Sequence, residues 1–152
     1  MTVIPPFDGV IRQHQQDEHI AWAMLPCACP QNHAANLLPL DDGSLMCVWF
    51  GGSQEGKADI SIWGSRLAPG SDRWSEAVKL CDDPDRSEQN PVLFQAPDNV
   101  LWLLWTAQFA GNQDTAIVRY RLSHDGGRSW GGHRYAAGSA GYLYSPANKR
   151  YV

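Results

Sequence analysis

The 152-residue chain lacks three features that would place it in a familiar class. It has no apolar run near the roughly 20 residues that a membrane-spanning helix needs, and its start lacks the charged and apolar regions of a signal peptide. Its 12 lysines and arginines form no block, and a net charge of −4 opposes binding to a phosphate backbone. We therefore expect a cytoplasmic protein with no membrane or nucleic-acid partner.

Cysteine is also scarce. The four cysteines, at positions 27, 29, 47 and 81, are too few and too irregular for a disulfide scaffold. Cys27, Cys29 and His33 could be considered as metal ligands, but the cysteines are spaced more tightly than in most zinc sites and no second ligand pair follows. We expect free thiols, no metal and no cofactor.

An internal repeat organises what is present. At an offset of 56 residues Trp49 aligns with Trp105 and Trp74 with Trp130, without a gap. Other matched pairs are Leu37 and Leu93, Asp42 and Asp98, Leu45 and Leu101, and Ile62 and Val118. The predicted strands are 35–40, 45–50 and 59–66 in the first copy, and 91–95, 100–106 and 115–122 in the second. Short strands with regular turns at this period predict an all-β fold made of propeller-like units.

One turn carries a recognisable motif. It follows the alternating run 116–122 and has the form Ser-x-Asp-x-Gly-x-x-Trp, with Ser123, Asp125, Gly127 and Trp130 at the specified positions. Asp125 can accept hydrogen bonds from the turn's N–H groups, the glycine permits positive φ, and the tryptophan anchors the turn by packing. This motif resembles the Asp-box of sialidase-like β-propellers, where its role is structural. The first copy keeps Trp74 but has Pro69 in place of the aspartate.

The resemblance covers residues 31–131 and divides them into two blades, about 31–80 and 87–131. The full-length family has six blades, and two cannot close a ring, so we expect a truncated N-terminal part with open, self-associating blade edges. Residues 1–30 read as an extension with one strand near 20–25, and 132–152 as an irregular tail. One choice of codons lets the adjacent frame of this tail spell a sialidase-like continuation, which suggests an out-of-frame end.

The resemblance implies an exo-acting glycoside hydrolase that releases terminal sialic acid, or a related acidic sugar, with retention. In that family, arginines clamp the substrate carboxylate, an aspartate is the acid/base, and a tyrosine paired with a glutamate is the nucleophile. The family's first arginine aligns with His33, which can hydrogen-bond a sugar or, when protonated, a carboxylate. Asp59 lies near the acid/base position, with Glu55 on the same loop as its rival, and Arg86 is the best remaining carboxylate binder. The nucleophile pair belongs to later blades.

Polar residues flank the predicted apolar strands and suit sugar hydroxyl groups. The proposed substrate-binding set is His33, Arg86, Gln89, Asn90, Gln108, Asn112 and Asp114. Each has a structural alternative: Asp59 could cap a strand, amides could satisfy backbone groups, and Arg86 could pair with Asp82, Asp83 or Asp85. At strand spacing, Trp49, Trp102 and Trp105 are better read as core than as a sugar platform.

Two functions therefore stay open. In the first, the full-length protein is a sialidase-like hydrolase acting on a glycan, and this chain is an inactive fragment of it. In the second, the chain is a non-catalytic carbohydrate-binding or structural Asp-box module.

Overall fold

The computed structural model describes residues 6–27, 29–109 and 111–136. Within them there are ten strands and a single 3₁₀ turn, Gln113–Thr115, and no helix is long and apolar enough to cross a membrane. The strands are β1 Arg12–Gln13, β2 Ala21–Trp22, β3 Gln31–Pro39, β4 Leu45–Gly52, β5 Ser61–Leu67, β6 Val78–Lys79, β7 Arg86–Gln95, β8 Leu101–Phe109, β9 Ile117–Ser123 and β10 Arg134–Tyr135.

The strands form two antiparallel meanders and a small ribbon. The first blade has the order β3-β4-β5-β6, the second has β7-β8-β9-β10, and β1 pairs with β2. Side chains of β8 alternate between buried and half-buried, as expected for a strand that has one face in the core and the other face nearer to solvent. The all-β prediction and the prediction of a two-blade propeller segment are both confirmed, and the sheets of the described residues do not close into a ring.

The repeat extends to backbone conformation. Three pairs of residues, each 56 positions apart, share a positive φ. They are Ala34 and Asn90 at 50° and 54°, Gly43 and Asn99 at 81° and 66°, and Gly70 and Gly126 at 72° and 71°. A positive φ is uncommon for residues other than glycine, so its recurrence indicates that both blades use the same turns and the same bulge.

The main core lies between the two blades. One face of β4 and one face of β8 contribute side chains to a single cluster, and these side chains are almost completely buried. The principal members are Met46, Val48 and Phe50 from β4 and Leu101, Leu103, Trp105 and Ala107 from β8. Hydrogen bonds also join the blades, among them one from Leu93 N–H to Asn36 Oδ1 at 3.0 Å and one from Glu88 N–H to the Ile60 carbonyl at 3.0 Å.

The other face of the first blade is covered by residues 6–27, which we name the N-terminal cap. Ile11, Ala23 and Leu25 of the cap pack against Trp49 and Trp74 of the blade. The backbone is fixed as well, because Ile11 N–H donates to the Asp72 carbonyl at 2.8 Å and Trp74 N–H donates to the Gly9 carbonyl at 2.9 Å.

The structure differs from the predicted boundaries in several places. β3 and β7 begin at Gln31 and Arg86, four and five residues before their predicted starts at 35 and 91, because each strand continues through a bulge that interrupts the alternating pattern. The N-terminal extension holds two short strands rather than one. β10 lies within the segment predicted to be irregular, and residues 137–152 of that tail are outside the described residues.

Candidate functional site

The topology brings the predicted site residues to one end of both blades. β3 and β7 begin at this end, β4 and β8 finish there, and the two loops that follow β4 and β8 project from it. We name this end the loop edge. Gly111 N–H donates to the Gly56 carbonyl at 2.9 Å and joins the two loops. The Asp-box lies at the opposite end of the second blade, after β9.

His33 is an exposed member of the loop edge on β3. Its imidazole stacks on Phe50 with ring centroids 5.3 Å apart and an interplanar angle of 22°. It also lines a cavity of about 290 Å³ between the N-terminal cap and the first blade. Asn32 beside it is fully engaged, since its Oδ1 accepts from Trp49 Nε1 at 3.0 Å and its Nδ2 donates to the Cys29 carbonyl at 2.9 Å. The imidazole is therefore the polar group offered by this part of β3.

Asp59 and Glu55 are exposed on the loop after β4. Asp59 Oδ2 accepts a hydrogen bond from Ser53 N–H at 3.1 Å, which closes the base of the loop. Glu55 N–H donates to Gln31 Oε1 at 2.8 Å, which leaves the Glu55 carboxylate outside that contact. The backbone approaches closely here, because a Cβ on Gly52 would lie 2.7 Å from the Asp59 carbonyl oxygen.

Arg86 is buried beneath the second loop. Its Nη1 donates to the carbonyls of Ala107 and Thr115, both at 3.1 Å, and its guanidinium lies 3.9 Å from the centroid of the Phe109 ring. Among the described residues it forms no ion pair with Asp82, Asp83 or Asp85, because Asp83 pairs with Arg119 instead. These contacts hold the loop after β8 against the start of β7.

The predicted amides divide into buried and exposed groups. Gln89 is buried and donates through Nε2 to Ser87 Oγ at 2.9 Å, and Gln108 is buried on β8 opposite Ser87. Asn90 is exposed at the bulge of β7 with a φ of 54°.

Asn112 and Asp114 lie at the 3₁₀ turn of the second loop. Asn112 Oδ1 accepts from Asp114 N–H at 3.0 Å and so caps the turn, and Thr115 Oγ1 donates to the Asn112 carbonyl at 2.6 Å. The Asp114 side chain is exposed. The loop edge thus presents an exposed subset of the predicted residues to solvent: His33, Glu55, Asp59, Asn112 and Asp114, while Asn90 is exposed farther along β7.

The Asp-box turn is closed by its own polar groups. Asp125 Oδ1 accepts from Arg128 N–H at 3.0 Å, Ser129 N–H at 2.9 Å and Ser123 Oγ at 2.7 Å. Gly127 N–H donates to Ser123 Oγ at 2.8 Å, and Trp130 packs against the inter-blade core. The Ser129 hydroxyl, the Ser129 N–H and the Ser123 hydroxyl together hold the pKa of Asp125 well below its ordinary value.

Comparison with protein families agrees with this turn and with the repeat. Residues 43–148 match the family model described as a BNR repeat-like domain. The chain belongs to the BNR repeat-like family. No curated protein matches it. Among 41 matching chains of solved structures is Hadza microbial sialidase Hz136, at 13% identity and a TM-score of 0.58. The match covers 68% of this chain and 25% of the sialidase, so this BNR repeat-like chain shares the sialidase fold over a quarter of that protein's length.

Sequence reasoning missed one group of charged residues in this BNR repeat-like chain. Glu88 and Arg119 are 1% and 4% exposed, and Arg119 Nη1 lies 3.5 Å from Glu88 Oε1 and 2.6 Å from Asp83 Oδ2. Trp105 Nε1 donates to the same Glu88 oxygen at 2.8 Å. Within the described residues Glu88 Oε2 and Arg119 Nε have no partner. Arg119 gave the only sequence signal, as a basic residue between Val118 and Tyr120, whereas Glu88 lies in the polar run 86–90 and gave none.

Proposed function

We propose that this chain contributes part of a glycan site to a sialidase-like exo-glycoside hydrolase that releases a terminal acidic sugar. The observation that supports this most is the loop edge, where five predicted polar residues from two blades are exposed at one end of the sheets. Short polar side chains on loops beside a rigid sheet suit the hydroxyl groups of a sugar.

The role proposed for each residue depends on whether its side chain is exposed or buried. Asp59 would act as acid/base, because its Oδ2 is oriented by Ser53 N–H while the side chain stays in contact with solvent. Glu55 on the same loop is the alternative candidate for the acid/base. His33 would donate a hydrogen bond to a hydroxyl or carboxylate, with its ring held by Phe50. Asn90, Asn112 and Asp114 would contact neighbouring hydroxyl groups. Gln89 and Gln108 would support the bulge of β7 from inside.

The alternative is a non-catalytic carbohydrate-binding or structural module. It is favoured by Arg86, whose guanidinium is engaged by two carbonyls and an aromatic ring rather than presented to a carboxylate. The alternative is also favoured by His33, which stands where the family has its first arginine. We propose that the two blades alone do not hydrolyse a sialoside, because the nucleophile pair expected from the family lies outside them.

Measurements of sugar binding and of sialoside hydrolysis distinguish the two candidate functions. Sialyllactose is titrated into labelled protein and followed by NMR, with lactose as the neutral control, and a fluorogenic sialoside reports hydrolysis. We expect shifts at the loop edge with sialyllactose, weaker shifts with lactose, and no hydrolysis. Asp59→Asn and His33→Ala should weaken the binding several-fold, while Asp72→Asn, an exposed aspartate at the opposite end of the first blade, should not.

Equal shifts with both sugars would favour a general carbohydrate-binding module. No shifts at the loop edge with either sugar would refute a glycan site in these two blades and favour the structural module. Hydrolysis by the isolated chain would show that the proposed dependence on further blades is wrong.

A further inference from the structure

The two loops of the loop edge are closed at their bases by equivalent hydrogen bonds. The first loop runs from Ser53 to Asp59 and the second loop from Phe109 to Thr115. Ser53 N–H donates to Asp59 Oδ2 at 3.1 Å, and Phe109 N–H donates to Thr115 Oγ1 at 2.9 Å. The two donors are 56 residues apart, and so are the two acceptors. The internal repeat therefore extends into the loops and allows them to be compared position by position.

Arg86 lies beneath the second loop, and the equivalent position of the first blade is Pro30. Arg86 is 9% exposed, and its Nη1 donates to the carbonyls of Ala107 and Thr115, which lie on opposite sides of the loop base. The Phe109 ring lies 3.9 Å from the guanidinium and covers it. Proline offers no side-chain donor, so the first loop is held without an equivalent clamp.

The first loop is instead supported at its tip. Glu55 N–H donates to Gln31 Oε1 of the same blade at 2.8 Å, and the neighbouring Gly56 carbonyl accepts from Gly111 N–H of the second loop at 2.9 Å. Glu55 thus lies between a contact from its own blade and a contact from the other blade. The position of its backbone depends on where the second loop holds Gly111.

We propose that Arg86 is a positioning residue for the first loop, although it belongs to the other blade. Because it joins both ends of the second loop, it fixes Gly111, and Gly111 in turn fixes Gly56 and the adjoining Glu55. The proposal rests on the function proposed above for the purpose of this arrangement, since Glu55 and Asp59 are the acid/base candidates on the first loop. Arg86 itself makes no contact with the sugar.

The loop arrangement is tested first without sugar, by NMR of the full chain labelled with ¹⁵N. Arg86→Met removes the guanidinium and retains an apolar side chain. Gly111 N–H should then exchange with water at least about tenfold faster, and the amide signals of Glu55 and Gly56 should shift, while the core amide of Val48 stays protected. A role confined to the second blade would leave the Glu55 and Gly56 signals in place, and would contradict the proposal.

Three further variants sharpen this test. Arg86→Lys retains the positive charge but not the planar fork or its stacking face, so the shifts should be smaller than in Arg86→Met. Phe109→Leu removes the ring from the guanidinium at a residue that is 45% exposed, so the fold should survive and the signals should move in the same direction. Arg128→Met is the matched control, because this 64% exposed arginine lies at the Asp-box end and should not affect the first loop.

Sugar binding is measured separately, by titration with sialyllactose. Where the parent protein binds the sugar, Arg86→Met should weaken binding several-fold and Arg86→Lys should weaken it less. Absence of binding by the parent protein would refute the proposed glycan site, but the amide signals would still decide the role of Arg86.

Two results would overturn that role. The first is unchanged exchange of Gly111 with unchanged first-loop signals in Arg86→Met or, where that variant does not fold, in Phe109→Leu. The second is an equal loss of sugar binding in Arg86→Met and Arg86→Lys while the first loop stays in place, which would make Arg86 a direct ligand of the sugar.

Discussion

Trp105 donates its indole N–H to the buried carboxylate of Glu88 at 2.8 Å, across the pair of strands β7 and β8. The same carboxylate oxygen lies 3.5 Å from Arg119 Nη1 on β9, and Arg119 in turn contacts Asp83 before β7. One hydrogen-bonded network therefore ties three strands of the second blade and the segment that enters it. Buried charges are tolerated only when they are paired, so this network makes the blade sensitive to the loss of any one member.

Replacement of Arg119 tests this sensitivity. Arg119→Met should lower the free energy of unfolding by about 3–5 kcal/mol, because it leaves the Glu88 carboxylate buried without its cation. Urea unfolding followed by tryptophan fluorescence measures the change. Arg128→Met is the matched control, since that side chain is 64% exposed and its pair with Asp42 should contribute less than about 1 kcal/mol. Equal effects of the two substitutions would show that the buried network does not stabilise the blade.

The glycine of the Asp-box provides a second test. Gly127 has a φ of 84°, and a Cβ at this position would lie 2.8 Å from Met46 Sδ in the first blade. Gly127→Ala should therefore destabilise the protein by about 1–3 kcal/mol through backbone strain and overpacking between the blades. Gly132→Ala should have little effect, because nothing lies within 4 Å of its added Cβ. Thermal unfolding of both variants distinguishes the two sites.

The turn carboxylates predict the acid stability of the fold. Hydrogen bonds from the Ser44 hydroxyl and N–H lower the pKa of Asp42 to about 2, and the serines of the Asp-box lower that of Asp125 further. Groups with a depressed folded-state pKa stabilise the protein above their unfolded pKa of about 4, and this contribution is lost as the pH falls through the folded pKa.

Asp125→Asn should therefore lower the melting temperature by several degrees at pH 7. The difference from the parent protein should shrink as the pH falls from 4 towards 2. Melting curves recorded across this range measure it, with Asp72→Asn as the control. A difference that stays constant from pH 7 to pH 2 would mean that the ionised carboxylate of Asp125 is not what stabilises the turn.

The two buried cysteines should react more slowly in the native protein than in the unfolded protein. Burial raises the pKa of the Cys47 thiol to about 11, and burial together with the nearby Glu88 raises that of Cys81 further. A thiol must ionise to attack a disulfide reagent, so Cys47 and Cys81 should react slowly at pH 8 until denaturant is added. Mass spectrometry of the labelled peptides measures how far each thiol has reacted before and after denaturant is added. Complete labelling of both residues in the native protein would contradict the burial of these thiols.

The fold was largely predictable because its signals are local. The 56-residue offset aligned tryptophans and turn residues that the structure places in equivalent positions of two blades, down to the positive φ of Gly70 and Gly126. Strand starts were less accessible to prediction. The bulges in β3 and β7 interrupt the alternating pattern, and pairing with β4 and β8 supplies the hydrogen bonds that extend both strands.

The candidate site was also predictable only in part. Sequence reasoning placed polar residues beside the ends of apolar strands, and the topology gathers them at the loop edge. It could not separate the exposed His33 and Asp59 from the buried Arg86 and Gln89, because burial depends on which strand and loop lie across from each side chain. Their functional roles stay predictions.

The sequence by itself determined the two-blade repeat, the all-β class and the chemistry of the Asp-box turn, because alternation, turn residues and short hydrogen-bonded loops act between neighbours in the chain. Only the tertiary structure decided the partner of Glu88, the burial of Arg86, and the covering of the first blade by the N-terminal cap. These features join residues 17 or more positions apart. Such contacts form only when whole sheets pack, so no local pattern in the chain specifies them.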